Sequence, residues 1–170
     1  MTKIRGFTLI ELMVTLSVAA ILLTVGVPGM RDLIANNRLT ATTNLFVSSL
    51  NIARSEAIKQ GRNATVCVSD LATQNACNGT NWQKGWIVWV DSNQNGNFDY
   101  PDELIRTVQP LSDSVQIAAT ENSFSIDSQG NVDNPNKNID VCDDRPDETG
   151  RRLRVMATGG VSLNSQFGGC

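Results

Sequence analysis

Glu11 makes the clearest chemical demand in this sequence. It lies in Phe7–Val27, an apolar run long enough to cross a bilayer, which takes roughly 20 apolar residues. A carboxylate inside such a span costs about 2.5 kcal/mol or more, so it marks function and needs a partner. Lys3 and Arg5 precede the run, but no A-x-A site closes it, so an ordinary secretory signal does not account for it. A plain membrane anchor would leave Glu11 unexplained.

Other residues that could do chemistry are few. There is no histidine, which excludes histidine triads and histidine-ligated metals. The four cysteines are Cys67, Cys77, Cys142 and Cys170, an even count that favours disulfides and an oxidising compartment. Three pairings are open; spacing favours Cys67–Cys77 and Cys142–Cys170, each closing a short loop. A zinc site of four thiolates is the competing reading, but it lacks any C-x-x-C pair. The loop Asp91–Glu103, DSNQNGNFDYPDE, places Asp91, Asn93, Asn95, Gly96, Asp99 and Asp102 at positions 1, 3, 5, 6, 9 and 12 of a calcium loop. Asp stands where that loop needs Glu, and apolar strands flank it in place of helices. A hairpin turn is therefore expected, with neither calcium nor any other cofactor. Arg151, Arg152 and Arg154 form the one dense basic cluster, in a chain whose 14 basic and 17 acidic residues give −3 overall. On a strand, Arg152 and Arg154 point to one side and Leu153 and Val155 to the other. Such guanidiniums could hold successive phosphates. Asp143, Asp144, Asp147 and Glu148 lie just upstream and could neutralise them.

The elements that must carry these residues follow from periodicity. The 170 residues fit one membrane segment and one ordinary soluble domain. After Pro28, the residues Leu39, Thr43, Phe46, Leu50, Ala53 and Ala57 recur at steps of four and three, one face of an amphipathic helix reaching Gln60. Gly61 is its expected stop, and Arg31, Arg38 and Arg54 fall away from that face. From Phe7 to Gln60 the helix would be about 80 Å long at 1.5 Å per residue. Pro28 should kink it. Beyond it, Thr65–Ser69, Gly85–Val90, Leu104–Val108, Val115–Ala119, Ser123–Asp127 and Leu153–Ala157 read as strands, with Gly160–Leu163 as an optional last one. Asn131–Gly150 is polar and reads as a long surface loop. Trp82, Trp86 and Trp89 read as packing residues, one of Trp86 and Trp89 in the core and the other beneath the helix. The fold class is α+β, a long helix on a mainly antiparallel β domain.

Gly6-Phe7-Thr8-Leu9-Ile10-Glu11, followed by the span and Pro28, resembles the class III signal of type IV pilins and pseudopilins. Ala53-Arg54-Ser55-Glu56-Ala57 resembles an element of the FimT/FimU/GspH minor pilins and pseudopilins within that family. So does Gly85-Trp86 with the strand and the Asp91–Gly96 turn after it. The likeness is dense before residue 108 and thin after it. It implies a leader, residues 1–6, removed by a prepilin peptidase between Gly6 and Phe7, with methylation of Phe7. It also implies a transmembrane and filament-core helix over 7–27, an amphipathic helix over 28–60 and a periplasmic β-rich domain over 61–170. Glu11 would then be an assembly determinant, facing the N-terminal amine of a neighbouring subunit. A paired carboxylate offsets much of its desolvation and sets register.

The resemblance implies a structural protein and not an enzyme: a minor pilin priming filament assembly at or near the tip. It would cross the inner membrane once and become extracellular in the assembled pilus. Its partners would be other minor pilins, the major pilin, the peptidase and the inner-membrane assembly platform. Two alternatives stand beside it. One is the type II secretion pseudopilin of GspH type. The other is a DNA-binding minor pilin of natural transformation, since some FimT-like proteins carry a C-terminal G-R-x-R element that binds DNA. Here Gly150-Arg151-Arg152-Leu153 departs from that element, with Arg154 one residue late.

Overall fold

The computed structural model describes residues 6–69, 76–100, 103–145 and 150–167, with side chains as far as Asn164. The chain divides into two units, Met1–Asn37 and Arg38–Cys170. One helix, α1 (Leu9–Gln60), contributes to both.

In the first unit α1 exposes a largely apolar surface that includes Leu16, Ile21, Leu22 and Leu23. The helix is long and apolar enough to cross a membrane. A surface of this kind favours an apolar surrounding, and a helix tolerates one because its backbone hydrogen bonds close internally. The helical state continues on both sides of Pro28, the expected kink.

In the second unit α1 turns a narrow stripe inward. Leu39, Thr42, Thr43, Phe46, Ser49, Leu50, Ala53 and Ala57 are buried, the expected face widened by Thr42 and Ser49. Gly61, with φ 64°, ends the helix in the left-handed region that glycine adopts without strain, and Arg62 N–H returns to the Ala57 carbonyl at 3.1 Å. Arg31 and Arg38 are exposed, as the pattern predicts. Arg54 is not: it is half-buried against two turns of the β domain.

Among the described residues eight strands follow: β1 (Ala64–Val68), β2 (Trp86–Val90), β3 (Leu104–Val108), β4 (Val115–Ala119), β5 (Ser123–Ile126), β6 (Lys137–Asp143), β7 (Gly150–Val155) and β8 (Val161–Phe167). They form two four-stranded sheets, ordered β3-β2-β1-β5 and β4-β6-β7-β8, with every pairing antiparallel. Alternate residues of both sheets join the helix stripe in one apolar cluster: Val66, Val88 and Phe124 from the first, Ile117, Val141 and Leu153 from the second. Each fully buried side chain of this size contributes about 1.5–3 kcal/mol. Phe46 is the hub, with its ring centroid 5.1 Å from Trp82, 5.4 Å from Trp86 and 6.2 Å from Phe124. Inside this core, Trp86 Nε1 donates to Ser49 Oγ at 3.0 Å.

Three expectations change. Asn131–Gly150 is not one long loop, because it holds β6, an interior strand of the second sheet paired to both β4 and β7. Ile139 and Val141 alternate inward there, but the intervening Asn138, Asp140 and Cys142 make the segment polar on average. Strand β7 starts earlier than Leu153, and β8 runs on to Phe167. Trp86 is both core and beneath the helix, whereas Trp89 packs on the opposite face of the first sheet with Cys67 and Ile87.

Candidate functional site

The residues around the expected cleavage point form a defined structure. Gly6, Phe7 and Thr8 precede α1 in non-helical backbone, and Phe7 is 81% exposed. An exposed, extended segment ahead of a helix is a backbone that a peptidase can engage. Thr8 then caps the helix. Its N–H and its Oγ1 each donate to Glu11 Oε2 at 3.0 Å, while Glu11 N–H donates to Thr8 Oγ1 at 3.3 Å. This reciprocal exchange is a capping box, which satisfies N–H groups that a helix start leaves without partners. Within one chain, Thr8 therefore holds the Glu11 carboxylate at the first turn, where the helix dipole also favours a negative charge. The T-x-x-E spacing of Thr8 and Glu11 was the signal for this role.

Strand β7 places the arginines as alternation predicts. Arg152 lies opposite Asp140 of β6, and Arg154 lies between Asn138 and Ser162, on the outer face of the second sheet. Asp140 takes Arg152 in two bonds, Nε to Oδ1 at 2.6 Å and Nη2 to Oδ2 at 2.7 Å. That contact pushes the Arg152 pKa up, further favouring its charged form. Arg154 is exposed and Arg151 half-buried beside a register shift. Of the acids expected to neutralise them, one is seen with a partner of its own. Asp143 is bound by Arg145, Nη2 to Oδ2 at 2.7 Å, and Asp147 and Glu148 lie outside the described residues. Asp140 is a partner of Arg152 that the sequence did not reveal, because β6 was read as loop.

The loop joining β2 to β3 is a hairpin connection. Its acids bind the loop itself. Asp91 accepts from Asn95 N–H at 3.1 Å and Gly96 N–H at 2.9 Å. Glu103, buried, accepts from Ser92 N–H at 2.7 Å and Asp99 N–H at 3.1 Å. The side-chain amides of Asn93 and Asn95 donate to Asp99 Oδ2 at 2.6 and 2.7 Å. Asp102 lies outside the described residues. Glu103, one residue past position 12, is the carboxylate that closes the loop.

Cys67 and Cys77 form a disulfide with Cα atoms 5.4 Å apart, and Trp89 Nε1 points at Cys77 Sγ at 3.1 Å. Cys170, the expected partner of Cys142, lies outside the described residues.

With this geometry established, comparison with known proteins locates its relatives. The family model for the type II transport protein GspH matches residues 42–159, and that for the prokaryotic N-terminal methylation motif matches residues 1–27. A comparison with curated proteins finds no significant match. The crystal structure of the type IV minor pilin FimU of Pseudomonas aeruginosa superposes with a TM-score of 0.59 at 19% identity, covering 75% of this chain and 89% of that one. The minor pseudopilin EpsH from the type 2 secretion system of Vibrio cholerae superposes with a TM-score of 0.55 at 14% identity, covering 75% of this chain and 97% of that one. The fold of both is the fold seen here.

Proposed function

This chain belongs to the GspH family and is a type IV pilin-like minor pilin or pseudopilin, and from that premise we propose that it primes filament assembly at or near the tip. The observation that carries the proposal is Glu11, the single carboxylate of the apolar run Phe7–Val27, held at the helix start by Thr8. Removal of residues 1–6 would create an amine at Phe7, close to that carboxylate in sequence. In a bundle of such helices, the amine of one subunit and Glu11 of the next would neutralise each other and fix the stagger between them.

In this reading the helix crosses the inner membrane once, with the second unit in the periplasm until extraction into the filament. The peptidase, the assembly platform and other pilin-like subunits are its partners. The disulfide Cys67–Cys77 supports an oxidising location for the second unit.

The test uses the full chain in a strain lacking its own copy. The mature protein should begin at Phe7 with one added methyl group, by mass spectrometry. Wild type should enter the sheared filament fraction and Glu11→Ala should remain in the membrane. Equal entry of both would sink the proposal. The type II secretion reading draws support from the description of the matching family itself. A deletion that abolishes enzyme secretion and leaves surface filaments intact would decide for that system.

A further inference from the structure

Arg54 is built into a cradle that leaves its charge unanswered. Its stem runs over two glycine turns from separate connections, Gly130 before β6 and Gly159 between β7 and β8. A Cβ at Gly130 would lie 2.9 Å from Arg54 Nε, and one at Gly159 would lie 3.0 Å from its Cδ and 2.6 Å from the Gly130 carbonyl. Both glycines have positive φ, 87° and 74°. Side chains are disfavoured there by conformation as well as by space. The two turns are tied together, since Val132 N–H donates to the Ala157 carbonyl at 2.9 Å. The arginine is thus held by backbone on two sides.

Arg54 Nε is fully buried with no acceptor, and no partner of the guanidinium is found among the described residues. The acids that could serve it are engaged elsewhere. Asp127, in the same turn as Gly130, accepts from Gln129 N–H at 2.9 Å and Asn131 N–H at 2.8 Å. Glu56, on α1, takes Lys59 at 3.3 Å and Gln60 at 2.9 Å. Apolar side chains lie around the same two turns. Ile58, one helical turn on, is 50% exposed, and its Cδ1 would meet a Cβ at Gly130 at 3.0 Å. Met156, 40% exposed, lies against Gly160.

A fixed cation with a buried, unsatisfied donor beside exposed Ile and Met is the arrangement of an interface hot spot lacking its other half. We propose that Arg54, Ile58 and Met156 form a docking point for an Asp or Glu side chain of an adjacent filament subunit. Charge complementarity selects the partner group: only an anion answers the guanidinium, and a carboxylate matches its planar fork. The inference rests on the pilin-like reading, because it needs a neighbouring subunit. The arginine is rigid before contact, so little side-chain entropy is lost on docking.

The experiment measures entry of full-length variants into sheared filaments, with membrane level and thermal midpoint as folding controls. Arg54→Glu should lower entry about tenfold or more, the scale of a lost interfacial charge pair, and Arg54→Lys should retain most of it. Ile58→Glu leaves the core untouched and offers Arg54 an internal partner at i+4, so it should fail likewise. Lysine substitutions at acidic positions of the co-expressed pilin-like subunits should include one that restores Arg54→Glu and so marks the contact. Wild-type entry of Arg54→Glu or of Ile58→Glu would overturn the proposal. Glu11→Ala separates the two claims. If it is excluded while Arg54→Glu enters, the docking point alone falls; if it enters freely, the pilin-like assembly reading falls first.

Discussion

Arg152 and Asp140 face each other across β7 and β6 and close a two-point ion pair, 2.6 and 2.7 Å. The pair answers internally one of the two arginine charges that β7 places on the outer face of the second sheet. A phosphate would have to displace a carboxylate that already fits the guanidinium fork. Both side chains are partly exposed, 35% and 20%, so solvent screens the pair and it adds little to folding.

The second unit should therefore give no shift of duplex DNA at about 0.15 M salt, where exposed charges are screened beyond about 8 Å. Asp140→Asn should produce binding that weakens as salt rises, because it releases Arg152 beside Arg154. A wild-type shift that disappears in Arg152→Gln would show that the pair opens for phosphate and would favour DNA uptake.

Ser49→Ala should destabilise the second unit by about 1–3 kcal/mol. Ser49 Oγ accepts from Trp86 Nε1 at 3.0 Å and donates to the Leu45 carbonyl at 3.0 Å. Its loss leaves a buried indole N–H without an acceptor. Urea unfolding followed by tryptophan emission measures this, and a change of a few tenths of a kcal/mol would show that the core relaxes around the indole.

Replacing Cys67 and Cys77 by Ser should cost roughly 2–3 kcal/mol, since the bond closes a short loop, with a sequence separation of 10. Trp89 Nε1 lies 3.1 Å from Cys77 Sγ, and a disulfide at that distance quenches an indole. Mild reduction should raise tryptophan emission before global unfolding. Unchanged emission on reduction would count against the contact.

Asp127 gives the fold a defined acid sensitivity. Backbone and side-chain hydrogen bonds from Asn131 hold its carboxyl below the ordinary value. A group depressed in the folded state stabilises it above the unfolded value, about 3.9, and that contribution is lost as pH falls through the folded value. Asp127→Ala should be clearly less stable than wild type at neutral pH, and the gap should close as pH falls below the ordinary carboxylate range. A difference that stays constant across this range would mean that the turn does not depend on the ionised carboxylate.

Much of this molecule is local and so was legible in the sequence. The stripe from Leu39 to Ala57 defines a helix face because four residues on is one turn on, whatever packs against it. Phe7 to Val27 is too apolar for water, and Glu11 within it asks for a partner by its cost alone. Strand β4 kept its predicted bounds because Val115 and Ile117 alternate with polar neighbours in a segment apolar enough to notice. The Thr8–Glu11 cap was equally local and was overlooked only because attention lay on partners in other chains.

The remainder was decided in three dimensions. Strand β6 escaped notice because an interior strand can be polar on its outer face, and only its neighbours β4 and β7 reveal its two inward side chains. Asp140 found Arg152 through strand register, a relation between segments that no spacing along the chain encodes. Arg54 was read as a helix residue turned away from the core. Its cradle comes from Gly130 and Gly159, far along the chain, and their missing Cβ atoms make room for it only once both sheets are folded. Periodicity fixes what each segment can bury; the meeting of segments fixes which charges are answered within the chain and which are left for a neighbour.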